Sequence, residues 1–85
     1  MDGYYTLRYK SSPENVAYVL HKEGNKLNNL TSPLSPKKLG LKLEANGEIS
    51  APKYFYPPKK IDKITALQEI SKKMDSKIER VVNAL

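Results

Sequence analysis

Cysteine is absent from this chain, and histidine occurs once, as His21. The first absence removes disulfides and thiolate metal sites together, and one histidine cannot build an imidazole zinc site, so no metal and no cofactor is expected. Long apolar runs are missing as well. No stretch approaches the ~20 residues of a membrane span, and the opening Met-Asp-Gly-Tyr-Tyr has neither the basic region nor the apolar run of a secretory leader. The expectation is a soluble, cytoplasmic protein with no membrane partner. Glycine is sparse, and its positions, 3, 24, 40 and 47, are scattered as turn residues are, with no phosphate-cradling loop.

Catalysis needs a nucleophile, base or metal held in mutual geometry, and little here supplies it. His21 is the one side chain that titrates near neutrality unperturbed, and a lone histidine is more often a surface or half-buried residue than a catalyst. Asp62, Glu69, Asp75 and Glu79 follow helix-surface spacing, with Glu69 three and four residues before Lys72 and Lys73, an ordinary pairing distance. No enzyme is expected.

What the chain does have is positive charge. Fifteen Lys and Arg stand against nine Asp and Glu, a net +6 over 85 residues. Residues 1–60 hold ten basic and five acidic side chains, and residues 61–85 hold five and four, so the excess lies almost wholly in the first part. Charge of this sign favours polyanionic partners and salt-sensitive association, although it also simply keeps a small protein in solution. Thirteen of the fifteen cations are lysine. Lysine meets phosphate as a point charge, whereas arginine offers a planar fork for base edges, so the bias points to backbone contact with little sequence reading.

Residues 3–10 alternate, Tyr5, Leu7 and Tyr9 on one face and Tyr4, Thr6, Arg8 and Lys10 on the other, which predicts a half-buried strand. Residues 12–24 admit two readings. Ser12-Pro13-Glu14 resembles a capped helix start with Gly24 as its stop. Alternatively Ser12-Pro13 is a turn, 16–22 a strand pairing with the first, and Glu23-Gly24-Asn25 a hairpin turn into Lys26-Leu27. The strand is favoured, because the first strand needs a neighbour. Pro36 and Gly40 bracket one helical turn after Ser35. Asn46-Gly47, between Leu41–Glu44 and Ile49–Ala51, predicts a hairpin with a type I′ turn. Pro52 through Lys60 is an aromatic segment bounded by prolines, which suits an edge strand or extended connector. From Ile61 the pattern is helical, and a helix from about 62 to 83 would run roughly 33 Å. Read as heptads, Ile64, Ser71, Ile78 and Leu85 share one seam position and Leu67, Met74 and Val81 the other. The competing reading is a helix lying across its own sheet.

Basic and aromatic residues interleave in Lys53-Tyr54-Phe55-Tyr56-Pro57-Pro58-Lys59-Lys60. Single-stranded nucleic acid is held by such chemistry, cations along the phosphates and rings under the bases, at about 1–3 kcal/mol per stacked base. The plainer alternative is a core edge strand with solvated lysines. Strand alternation reconciles the two by turning Phe55 inward and Tyr54 and Tyr56 outward beside Lys53 and Lys59. Lys37, Lys38 and Lys42 form a second basic group, and Arg8 and Lys10 extend the surface from the first strand. Lys73, Lys77 and Arg80 make a stripe best read as a solvated helix face.

No ribonucleoprotein signature, GXXG loop or zinc-finger spacing is present. In size, lysine-over-arginine bias and lack of cysteine, with the lysine groups at 37–38 and 53–60, the chain resembles the small early proteins of T4-like phages. It is similar in type to the toxin-inhibition factors among them, which block a host RNA-cleaving toxin. The resemblance implies RNA and an anti-defence role, and it transfers no site residue.

Together these features predict one α+β domain, 1–85, with a small mainly antiparallel sheet in a basic part (1–60) and a long C-terminal amphipathic helix (61–85). The expected function is non-catalytic, largely sequence-independent RNA binding through Lys37, Lys38, Lys42, Lys53, Tyr54, Tyr56, Lys59, Lys60, Arg8 and Lys10, directed against a host nuclease or toxin. The helix residues Ile64, Leu67, Met74, Ile78, Val81 and Leu85 are expected to form a homodimer seam. The rival expectation is a protein-interaction module whose helix docks on a host protein target, with no nucleic acid involved.

Overall fold

The computed structural model describes the backbone of residues 2–84 and the side chains of residues 2–73. β1 (Gly3–Leu7) forms where aromatic and β-branched residues alternate, and its partner is β2 (Tyr18–Glu23), antiparallel with Leu20 opposite Tyr5 and Val19 opposite Thr6. The choice at 12–24 therefore falls to strand. Local turns take up the N-terminal part, Asn15 N–H bonding Ser12 C=O at 3.1 Å, and Ala17 N–H then donates to Leu7 C=O at 2.8 Å to open the ladder.

β3 (Lys26–Asn29) follows β2 through Gly24-Asn25, with Glu23 opposite Lys26. Gly24 has φ +60° while no non-glycine residue among those described has positive φ, so the turn is of type II′, whose first central position belongs to glycine. Asp2 clasps it: one carboxylate oxygen accepts Gly24 N–H at 3.0 Å and Lys22 Nζ at 3.2 Å. Lys22 is only 5% exposed, so one of the ten cations of residues 1–60 is committed to holding the fold.

β4 (Lys42–Leu43) and β5 (Ile49–Ser50) make the hairpin expected around Asn46-Gly47, but its turn is different. Gly47 alone has positive φ, +87°. Gly47 N–H bonds Glu44 C=O at 2.9 Å and Glu44 N–H bonds Glu48 C=O at 2.8 Å, a type I turn closed by a glycine bulge. With Leu43 opposite Ile49 the loop is one residue too long for type I′. Asn46 stays at negative φ and uses its side chain instead, accepting Glu48 N–H at 3.0 Å.

β6 (Lys59–Ile61) pairs with the free edge of β1 and completes an antiparallel sheet ordered β3-β2-β1-β6. α1 (Lys63–Ala84) begins one residue later than expected because Asp62 is its N-cap, its carboxylate accepting Thr65 N–H at 2.7 Å. Hydrogen bonds from the Thr65 hydroxyl and N–H hold the Asp62 carboxyl below its ordinary value.

Pleating assigns the two sheet faces. Leu7 and Leu20 point to one side and are fully buried with Leu39, Leu41 and Phe55, while Tyr5, Tyr9, Tyr18, Leu27 and Ile49 pack around them. The paired Thr6 and Val19 point to the other side, where α1 lies against β1 and β2. The helix turns Ala66, Glu69, Ile70 and Lys73 inward, at i, i+3, i+4 and i+7, and Ala66 is wholly buried. Its packed face is thus not the Ile64/Leu67 stripe, which stays outside at 69% and 54% exposure. An alanine lets the helix axis sit close to the small Thr6 and Val19, where a leucine would hold it off. Ser71 of the predicted seam is exposed, and Met74, Ile78, Val81 and Leu85 lie outside the described side chains.

Candidate nucleic-acid interface

Residues 53–61 run antiparallel along residues 10–4 and form one edge of the molecule. Tyr9 bridges Phe55, with Lys10 N–H donating to Tyr54 C=O and Tyr56 N–H to Arg8 C=O, both at 2.9 Å. Further along, Thr6 faces Lys59 and Tyr5 faces Lys60. The register slips by one residue between these stretches, so Pro57-Pro58 forms a bulge opposite Leu7. Prolines lack the N–H an incoming strand would need, and Lys59 and Lys60 add charge; the edge is thereby guarded against pairing with another sheet.

The aromatic segment divides as alternation predicts. Phe55 is 2% exposed, whereas Tyr54 and Tyr56 are 56% and 41% exposed. Phe55 stacks on Tyr9 with ring centroids 4.5 Å apart, and Tyr54 leans on Phe55 at 4.7 Å. Tyr54 is further pinned by its hydroxyl, which donates to Leu39 C=O at 3.3 Å. Tyr56 has no ring or side-chain hydrogen-bond partner among the described residues. The two rings thus differ, one a fixed shelf and the other free to adjust.

The bond to Leu39 joins the edge to the second basic group. Residues 35–41 make the single helical turn that the sequence implied: Ser35 Oγ accepts Lys38 N–H at 3.3 Å. The exit is a Schellman closure, with Gly40 N–H bonding Lys37 C=O at 3.1 Å and Leu41 N–H bonding Pro36 C=O at 3.0 Å. Gly40 has φ +82°, and a Cβ there would stand 2.7 Å from Pro52 Cγ. This close approach brings the turn that carries Lys37 and Lys38 against Pro52 and Tyr54. Lys42 lies on the β4–β5 hairpin, exposed and opposite Ser50. Lys59 and Lys60 continue the edge, and the Lys60 stem lies over Gly3.

Arg8 departs from this group. Its backbone pairs with Tyr56, but its guanidinium donates to Pro13 C=O at 3.0 Å and lines an open cleft of about 920 Å³ beneath α1, together with Lys72 and Lys73. Lys73 is half-buried there, while Lys77 and Arg80 of the expected solvated stripe lie outside the described side chains. Nothing in the local sequence marks this meeting, because Arg8 and the two lysines are far apart in the chain.

Among the described residues no group of three or more His, Cys, Asp or Glu is placed to hold a metal ion, and no helix is long and apolar enough to cross a membrane. The chain matches no family model, no curated protein and no solved structure. The site must be read from its own chemistry.

Proposed function

We propose that this protein is a non-catalytic, largely sequence-independent binder of single-stranded RNA. The observation that carries the reading is the edge segment 53–60, an isolated bridge at Phe55 followed by β6. It aligns Lys53, Lys59 and Lys60 with two exposed tyrosines and is flanked by Lys10 and by the Lys37-Lys38 turn. Lysines spaced along an edge suit phosphates, exposed rings suit bases, and neither selects a sequence. Arg8 and Lys42 stand at the margins of this surface. Through such binding the protein acts in the cytoplasm against a host nuclease or toxin, in keeping with its resemblance to phage toxin-inhibition factors.

A gel-shift titration with single-stranded RNA over a salt series tests this. Binding at low salt with a steep loss as salt rises is expected, and no binding at low salt sinks the reading. Tyr56→Ala is expected to weaken binding by about 1–3 kcal/mol while leaving thermal stability unchanged. The same titration with DNA of matching sequence measures the preference for RNA.

A second reading draws on the exposed Ile64 and Leu67. In it the outer stripe of α1 pairs with a second copy or with a host protein, and the lysines only keep the protein in solution. Light scattering on Ile64→Asp and Leu67→Asp separates the cases, since an apolar seam loses its dimer mass on either change.

A further inference from the structure

The cleft between the third turn of α1 and the 12–18 loop gathers three cations. Their commitments differ. Lys72 is held by Glu69 at 3.4 Å and is largely exposed. Lys73 has no ion-pair partner among the described residues. Arg8 uses Nη1 on Pro13 C=O, which leaves donors on its other nitrogens. Glu14, on the loop, and Glu69 are the carboxylates of the lining. Tyr9 and Tyr18 are also among the lining residues, and their hydroxyls hydrogen-bond at 3.4 Å. That bond, and then burial, hold the Tyr9 phenol above its ordinary value.

A wide, polar cleft with a guanidinium and an uncommitted ammonium fits an anion rich in acceptor oxygens better than an apolar ligand. Its place decides which anion. Arg8 C=O accepts Tyr56 N–H, and Tyr9, which also lines the cleft, stacks on Phe55. The cleft and the lysine–tyrosine edge are thus joined through one pair of strands, with Arg8 at the junction.

We propose that this cleft is a phosphate-binding site, holding a backbone phosphate of the same RNA strand whose bases rest along the 53–60 edge. The inference rests on the RNA-binding reading and extends its track from Tyr56 past Arg8 to Lys73 and Lys72.

The test is fluorescence anisotropy on the full chain with labelled oligouridine across a salt series. On a single strand, every phosphate that the protein no longer neutralises lowers the slope of log K against log salt by about 0.7. Lys72→Gln/Lys73→Gln is expected to lower it by about 0.7, and Arg8→Gln, which loses the same phosphate, by about 0.7 as well, whereas Tyr56→Ala weakens binding at constant slope. Among the described residues the double variant removes only the exposed Lys72–Glu69 ion pair, so its fold is expected to be retained if Arg8→Gln proves unstable. A parent that binds while the double variant keeps the parental slope overturns the cleft assignment and leaves the edge intact. A parent that binds no RNA overturns both. Hexaglutamate bound by the parent but not by the double variant, with the RNA slope unchanged, gives the cleft to an acidic protein segment and overturns the proposal.

Discussion

The two faces of the four-stranded sheet are covered in different ways. One face lies under irregular chain, residues 31–56, yet it holds the large side chains Leu7, Leu20, Leu39, Leu41 and Phe55. The other lies under a regular helix, yet the residues buried there are small: Thr6, Val19 and Ala66. Regularity of the covering element therefore does not track the apolar volume beneath it. The turns and short hairpin seal the main core by burying Leu39, Leu41 and Phe55 in it, with Gly40 allowing the turn to close against Pro52. The helix contributes a thin second layer and leaves its largest apolar residues, Ile64 and Leu67, outside.

If this difference is energetic as well as geometric, substitutions should rank by face. Phe55→Ala, which empties the main core, is expected to cost about 3–5 kcal/mol in urea unfolding, a large share of the stability of a domain this size. Its neighbour Tyr56→Ala should stay within about 0.5 kcal/mol. Val19→Ala on the helix face removes two buried carbons and should cost about 2 kcal/mol. Amide exchange should then loosen α1 before the main core. An equal cost for Val19→Ala and Phe55→Ala would erase the distinction between faces.

Smaller effects sharpen it. Gly40→Ala meets a left-handed backbone worth about 1–2 kcal/mol and also the ring of Pro52. Gly24→Ala meets the same backbone cost with open space around it. Thermal melts should therefore place Gly40→Ala below Gly24→Ala, and the reverse order would show that Pro52 yields freely.

The smallest effect is acid sensitivity. Gly24 N–H, then the Lys22 ammonium, lower the Asp2 carboxyl, and Thr65 lowers that of Asp62, both from an ordinary 3.8. Carboxyls lowered in the folded state contribute stability that is present above pH 3.8 and lost as pH falls through the lowered values. Melting temperature should hence decline below about 3.8, and Asp2→Asn and Asp62→Asn should each flatten that decline.

Much of the fold is legible in the sequence because its signals are local. Alternation at Tyr5, Leu7 and Tyr9 marks the first strand, Asn46-Gly47 locates a hairpin, Ser35 to Gly40 makes a capped turn, and uninterrupted helical spacing marks α1. Phe55 inward with Tyr54 and Tyr56 outward follows from the two-residue period. The misses are of another kind. The turn at Asn46-Gly47 depends on how many residues the flanking pairs leave between them, which dipeptide preference does not set. Apolar periodicity, which weights bulky residues, marks the outer Ile64/Leu67 stripe, and it does not mark the face that packs on the sheet, where close approach to Thr6 and Val19 selects the small Ala66. The clasp of Asp2 on Lys22 and the meeting of Arg8 with Lys72 and Lys73 join residues whose separation carries no pattern.

The pairing of β6 with β1 has a consequence for how the chain assembles as it is made. β1, β2 and β3 are successive hairpins and close short loops, so they can form early. β6 must return across some fifty residues to reach β1, at a larger entropic cost. Until residues 59–61 emerge, the first strand waits with one side open, and a ribosome-bound or truncated chain ending before Pro57 would present that side to other strands. The lysine-bearing edge is thus also the fold's late-arriving guard.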